Sequence, residues 1–346
     1  MKTKGYAATS ADKPLTPFEF ERRGPGDRDV HIAIDFCGIC HSDIHTSRSE
    51  WGPTVYPCVP GHEIIGRVVK TGKDAGRFKE GQRVGVGCFV NSCRTCENCQ
   101  KGHENYCSKG FTMTYGSVDL DGKTSTYGGY SNQIVVDEHF VLSIPDNLDP
   151  AACAPLLCAG ITTYSPLRQM NLHKGSRVAV MGLGGLGHMG VKLAASFGAE
   201  VAVFSRSPQK EADAKKLGAT EFVLTTGEGA LNKVAGRYDV ILDTIAAKHD
   251  INGPLNCLKT NGTLILVGAA PETLDLAPFP LIFGHRKILG SLVGGIPETQ
   301  EMLDHCGKHG ITSDIEMTTP SQINQAFERT VKGDVKYRFV IDCAKF

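Results

Sequence analysis

The stretch that most narrows the possible folds lies at residues 176–197. Ser176-Arg177-Val178-Ala179-Val180-Met181 has the composition of a short buried strand, and it runs directly into Gly182-Leu183-Gly184-Gly185-Leu186-Gly187 and then into a helical segment, 188–197. In a strand–turn–helix setting, Gly-x-Gly-x-x-Gly has a mechanical meaning. The first glycine permits the tight turn, the second lets a pyrophosphate approach the backbone, and the third lets helix and strand pack closely. The helix N-terminus then offers unpaired N–H groups to phosphate oxygens. The stretch predicts a dinucleotide-binding unit, which requires parallel strands linked by helices.

The next strand, 200–204, bears on which dinucleotide. A unit that binds NAD usually ends this strand in Asp or Glu, which holds the adenosine ribose hydroxyls. Here Ser205-Arg206-Ser207-Pro208-Gln209-Lys210 follows, with no acid before Glu211. Two hydroxyls and two cations suit a 2′-phosphate, so NADP is expected. The same residues also suit a solvated turn with Ser207 capping a helix, and the two readings are compatible. Strands at 222–224, 240–243 and 264–268, with helices between them, predict a doubly wound parallel sheet ending near 286–290. The domain expectation is 151–290 for dinucleotide binding and 1–150 for the remainder. The second part is completed by 291–346, where a helix (299–309) and a strand (338–342) rejoin it.

Upstream, 29–35, 64–69 and 81–86 read as strands, punctuated by glycine and proline, and predict a mainly β domain with function carried on loops. Residues 151–158, after Pro150, read as the start of a helix. Between the strands lie Cys40-His41-Ser42-Asp43-Ile44-His45 and, sixteen residues on, Gly61-His62-Glu63. Sulfur with nitrogen favours zinc, and three protein ligands with an open fourth place make a catalytic site. A buried thiol and a core histidine are the bland alternative. Cys158 is the best candidate for the missing ligand.

Cys93-x2-Cys96-x2-Cys99-x7-Cys107 is a second metal signal. Four sulfurs at that spacing close a tetrahedron around one zinc and leave no open position, so this site is structural. An iron–sulfur run would place its fourth cysteine sooner and follow it with proline. The remaining cysteines, Cys37, Cys58, Cys88, Cys153, Cys257, Cys306 and Cys343, lack partners at ligand spacing and read as small buried hydrophobes.

The combination of Gly-His-Glu, clustered cysteines, a distal cysteine and Gly-Leu-Gly-Gly-Leu-Gly resembles the zinc-dependent medium-chain dehydrogenases over essentially the whole chain. Within them it looks most like the cinnamyl alcohol dehydrogenase branch. The resemblance implies a Rossmann domain plus a mainly β, GroES-like catalytic domain with a partly open barrel, and a homodimer paired through the Rossmann sheets. It implies two zinc ions per subunit. Cys40, His62 and Cys158 would hold the catalytic one, with Glu63 as a near or alternating fourth ligand, and Cys93, Cys96, Cys99 and Cys107 the structural one. Asp43 would accept a hydrogen bond from His62, and Ser42 and His45 would carry the proton. Thr162, Gly182–Gly187, Ser205, Arg206, Ser207 and Lys210 would bind NADP. Trp51, Tyr115 and Leu292 would line the substrate pocket. Many lignin-pathway members carry a smaller aliphatic residue where Trp51 stands, so the implied pocket is apolar without being committed to a cinnamyl substrate. The implied reaction is hydride transfer between NADP(H) and a primary alcohol or aldehyde, with aldehyde reduction the expected direction.

Other classes fit less well. A zinc-free quinone reductase of this fold would lack Cys40, Cys158 and the four-cysteine lobe. A zinc-ribbon nucleic-acid binder should be basic, yet Lys+Arg and Asp+Glu are both 37 and the net charge is zero. A polyol or secondary-alcohol dehydrogenase is the nearer rival. No apolar leader or run of about 18 apolar residues occurs, and 13 cysteines are an odd number, so a cytoplasmic protein with metal ligands and free thiols is expected.

Overall fold

Glycine and proline recur through the N-terminal 150 residues, and stretches between them such as 29–35 alternate polar and apolar residues. In the computed structural model, which describes residues 1–346, these stretches form β1 (Lys2–Ala7), β2 (Thr16–Glu21), β3 (Asp29–Gly38), β4 (Ile64–Thr71), β5 (Arg83–Val86), β6 (Phe89–Ser92), β7 (Phe111–Met113), β8 (Gln133–Asp137) and β9 (Val141–Ser143). Next come β10 (Arg177–Met181), β11 (Glu200–Ser205), β12 (Glu221–Leu224), β13 (Tyr238–Asp243), β14 (Leu258–Leu266) and β15 (Lys287–Gly290), then β16 (Ile315–Thr318) and β17 (Arg338–Asp342). Two compact units result, Met1–Ile161 with Val293–Phe346, and Thr162–Leu292.

In the first unit a seven-stranded sheet runs β16-β17-β3-β4-β5-β9, with β8 also paired to β3. The alternation read from the sequence places Val30, Ile32 and Ile34 in the core. Strand β3 extends past position 35 because Phe36, Cys37 and Gly38 pair with β17 on one side while Phe36 and Cys37 pair with β4 on the other. Two small antiparallel pairs, β1-β2 and β6-β7, stand apart from this sheet. Residues 151–158 are one helical turn, Pro150–Cys153, capped by Asp149, followed by a 3-10 turn, Ala154–Leu157. Pro155 lacks an N–H donor and opposes a continued α-helix.

The second unit is a six-stranded parallel sheet, β12-β11-β10-β13-β14-β15. Its order reverses between β10 and β13, the place where doubly wound sheets bind ligands at the carboxyl ends of their strands. Strand β14 lies earlier than the expected 264–268. The helix Asn252–Cys257 hands directly into it, and the N–H groups of Val267 and Gly268 turn to the Asp243 carbonyl instead. The core between sheet and helices is built from Ala179, Phe204, Tyr238, Ile241, Leu255 and Leu264 among others.

Candidate active site

Cys40 caps the short helix His41–Ser47, and the helix's third residue, Asp43, reaches back to it. The Cys40 N–H donates to Asp43 Oδ2 (2.8 Å) and the Asp43 N–H to the Cys40 carbonyl (3.1 Å). Asp43 is fully buried and accepts three further bonds, from Gly61 N–H (3.1 Å), His62 Nδ1 (3.0 Å) and the Tyr130 hydroxyl (3.1 Å). A carboxylate can only accept, so His62 donates from Nδ1, and Nε2 is the ring nitrogen left to face a metal. Burial opposes a charged imidazole, but the Asp43 carboxylate and the nearby thiols raise its pKa well above the usual range.

Around this pivot the ligand atoms of Cys40, His62, Glu63 and Cys158 all lie within 4.8 Å of one another, and all four residues are buried. Cys40 Sγ is 3.9 Å from Cys158 Sγ and 3.2 Å from Ser42 Oγ. The bond shared by the two thiols pulls Cys40 well below the ordinary thiol range, against burial, and pushes Cys158 up. Glu63 pairs through Oε1 with the buried guanidinium of Arg338, while its Oε2 is buried without a hydrogen-bond partner. Burial pushes the Glu63 carboxyl up to about 7, against the pull of Arg338. Gly38 makes room for this carboxylate, since a Cβ there would fall 1.9 Å from Oε2. Cys88 departs from the expectation for the lone cysteines. It is only partly buried, its Sγ is 3.6 Å from the Leu157 carbonyl, and its nearness helps push the Cys158 thiol up.

His45 Nδ1 donates to Glu50 Oε2 (2.5 Å), and its ring stacks on Trp51 with centroids 4.7 Å apart. Trp51 is 46% exposed, whereas Tyr115 is buried with its ring 5.7 Å from that of His62. Leu292 is 46% exposed at the end of the second unit. Thr162 is buried in the helix Ala159–Gln169.

The sulfurs of Cys93, Cys96, Cys99 and Cys107 form a second group within 4.8 Å. The N–H of Cys96 donates to Cys93 Sγ (3.4 Å) and that of Cys93 to Cys107 Sγ (3.5 Å), as suits thiolates. Backbone N–H bonds at Cys99 and Ser108 pull Cys96 down to about 5. Glu104 ties the lobe to the rest of its unit, accepting from Ile296 N–H (3.0 Å) and bonding His139 Nε2 (2.8 Å).

In the second unit the glycine turn opens a cavity of about 420 Å³. Gly182 has φ +85°, and a Cβ at Gly187 would fall 2.1 Å from the Gly182 carbonyl. Gly184 has nothing within 4 Å of its missing Cβ, so its backbone is open to an incoming group. Ser205, Arg206, Ser207 and Lys210 line one wall, Ser207 N–H donating to Ser205 Oγ (3.2 Å) and Lys210 Nζ to the Leu183 carbonyl (2.8 Å). Burial lowers the Lys210 pKa. Thr225, Ile245, Ala247, Lys248 and His249 form further wall, none of them singled out from the sequence. They follow the ends of β12 and β13, and only the strand order brings those ends beside the glycine turn. Arg338 and Tyr130 also went unread. Arg338 opens a strand and Tyr130 lies in the bend before β8, and neither stands out until its long-range partner is known.

Residues 26–146 match the family model described as the alcohol dehydrogenase GroES-like domain, and residues 185–308 the one described as zinc-binding dehydrogenase. The chain belongs to the zinc-binding alcohol dehydrogenases. Among relatives of this family, it is 53% identical to aldehyde reductase YahK of Escherichia coli, over 99% of this chain and 98% of that one. It is 52% identical to NADP-dependent alcohol dehydrogenase C 1 of Mycolicibacterium smegmatis, over 98% and 97%. A cinnamyl alcohol dehydrogenase structure from Sorghum bicolor superposes with a TM-score of 0.96 at 44% identity, covering 99% of this chain and 98% of the other.

The residues present fit the groups that membership of the zinc-binding dehydrogenases implies. Two sulfurs, one imidazole and a buried carboxylate oxygen without a partner are a donor set for zinc at an open site, and four sulfurs are one for a closed site. The open backbone at Gly184 beside serines and cations fits a phosphorylated dinucleotide.

Proposed function

We propose that this zinc-binding dehydrogenase reduces apolar aldehydes with NADPH, and oxidises the corresponding primary alcohols in reverse. The observation that carries the reading is the convergence of Cys40, His62, Glu63 and Cys158, one of them offering a buried carboxylate oxygen that nothing else satisfies. In our reading Cys40, His62 and Cys158 hold the catalytic zinc, Glu63 is the exchangeable fourth donor, and Cys93, Cys96, Cys99 and Cys107 hold a structural zinc. Bound in these sites, zinc supplies Lewis acidity toward the substrate oxygen and NADPH supplies the hydride.

The chain's own residues do the rest. Asp43 fixes the tautomer and orientation of His62. Arg338 balances Glu63, so the carboxylate stays available without an uncompensated buried charge. Ser42 is the hydroxyl nearest the Cys40 sulfur and passes the proton at the substrate oxygen. His45 is the outer member of the relay. Its Nδ1–H is committed to Glu50, which leaves Nε2 to take or give the proton. Trp51 and Tyr115 supply apolar lining. The unit Met1–Ile161 with Val293–Phe346 is the catalytic domain in this reading. The unit Thr162–Leu292 binds NADP through Thr162, the 182–187 turn and Ser205, Arg206, Ser207 and Lys210.

A homodimer through the second unit is supported by β15, whose outer edge is unpaired, and by the preceding helix, which exposes Phe279, Ile282 and Phe283. A cytoplasmic location is supported by thirteen cysteines, none in a disulfide, which suit a reducing compartment.

The test is kcat/KM for aldehydes from C2 to C6 with NADPH and with NADH. Two charge-assisted bonds to the 2′-phosphate predict a preference for NADPH of roughly a hundredfold or more. Each added methylene should raise kcat/KM by up to about fourfold. Equal use of both cofactors would overturn the cofactor reading, and a flat or falling series the apolar pocket.

A further inference from the structure

In the loop 244–250, which follows β13, Ile245, Ala247, Lys248, His249 and Asp250 form one wall of the cavity lined also by Ser205, Arg206, Ser207 and Lys210. Thr244 Oγ1 anchors the start of this loop to the Met181 carbonyl (2.7 Å), at the entry to the glycine turn. His249 anchors its end. His249 Nδ1 lies 2.7 Å from the Ala247 carbonyl and Nε2 lies 2.7 Å from Asp243 Oδ2. A carbonyl oxygen and a carboxylate oxygen can only accept, so both ring nitrogens donate, and a ring with two N–H groups is an imidazolium. Asp243 is buried at the end of β13, and its other oxygen accepts the Ile245 N–H (3.0 Å), so it is held as an acceptor. The His249 side chain is only 14% exposed.

We propose that protonated His249 is a positioning residue that fastens the 244–250 wall of the cavity and adds a fixed positive charge to it, so that NADP binds the protonated form more tightly. The proposal rests on the reading of this cavity as the NADP site.

The sign follows from the contacts. The hydrogen bond to Asp243 raises the His249 pKa above 6.5. Burial opposes this, while the Ala247 carbonyl and the charges of Asp243 and Asp250 add to it. A group whose folded pKa is raised contributes fully below its unfolded value and is lost as pH climbs through the raised one. Above that point one of the two acceptors loses its donor and the wall loosens. The other charged groups at the cavity are Arg206 and Lys210 on the opposite wall, Lys248 and Asp250 on the loop, and Asp243 beneath. Lys210, with its lowered pKa, loses charge in the same direction at higher pH. The 2′-phosphate gains its second charge near pH 6, so above about pH 7 its own titration is complete.

The experiment measures the Kd of NADP⁺ for the whole chain by calorimetry from pH 6.5 to 9. In parallel, the titration of the His249 ring is followed by NMR with and without NADP⁺. Binding should raise the His249 midpoint by about one unit, and by linkage the wild-type Kd should rise roughly tenfold across the range. His249→Gln should bind weakly at pH 6.5 and lose most of the pH slope, leaving only the part owed to Lys210. A wild-type midpoint that NADP⁺ does not move, or an unchanged slope in His249→Gln, overturns the proposal. A free-chain midpoint at the ordinary value overturns it while leaving the cofactor reading intact. No binding at any pH overturns both.

Discussion

Asp43 does more with one side chain than any other residue at the metal site. Its two oxygens take four hydrogen bonds, from the Cys40 and Gly61 backbone, the His62 ring and the Tyr130 hydroxyl, with no exposure to water. Two of those donors set the places of the Cys40 sulfur and the His62 imidazole. Asp43→Asn keeps the shape but presents an amide where two acceptors were needed, so one donor pair loses its partner. Metal affinity at Cys40–His62–Cys158 should fall by about 10–100-fold, as loss of a carboxylate behind a metal-binding histidine does. Competition against a chromophoric chelator measures it, and an unchanged affinity would show that His62 needs no carboxylate to orient it. The His62–Asp43 bond was foreseeable because the resemblance implied it and the two residues sit near each other in sequence. Arg338 was not, since 275 positions separate it from Glu63 and its surroundings read as an ordinary closing strand. Yet its removal would leave a buried carboxylate unpaired, at about 3–5 kcal/mol.

Among the elements, the four-cysteine lobe is the one least able to hold itself together. Its regular structure is β6, β7, the single turn Glu97–Gln100 and the 3-10 turn Glu104–Tyr106, too little to bury a core of its own. Four sulfurs in mutual range replace that core, so metal binding there is folding free energy. Stripping this metal with a thiol-directed chelator should open residues 93–113 to protease and to hydrogen exchange, while amides of β10, β11 and β13 stay protected. Loss of protection spread evenly over both units would show that the lobe is not an independent cooperative element. The cysteine spacing made this element legible, because three sulfurs three residues apart and a fourth eight residues on leave few geometries. The tether from Glu104 to Ile296 and His139 was not legible, because nothing local marks a buried glutamate as an anchor.

For the whole molecule, the two donor sets predict two zinc ions per chain by elemental analysis. One should exchange readily with competing chelators, since its site keeps an open place. The other should leave only with local unfolding. Active protein with one zinc or none would contradict the assignment of both sites. A chain that holds two ions but loses both at the same rate would contradict the distinction between open and closed.

What the sequence determined by itself were the features carried by short-range pattern. The parallel sheet followed from alternating apolar strands and helices, the tight turn after β10 from glycines at fixed offsets, and the cluster of four sulfurs from four cysteines within fifteen residues. Each rests on backbone geometry or ligand reach across a few residues, where spacing fixes the outcome. The tertiary structure alone decided which distant groups satisfy one another. It supplied Arg338 to Glu63, Tyr130 to Asp43, and Glu104 to the helix Ile296–His309. Buried polar groups must find partners wherever the fold brings them. Because the fold brings most of these partners from remote stretches of chain, their identity is a property of packing and leaves no periodicity for the sequence to display.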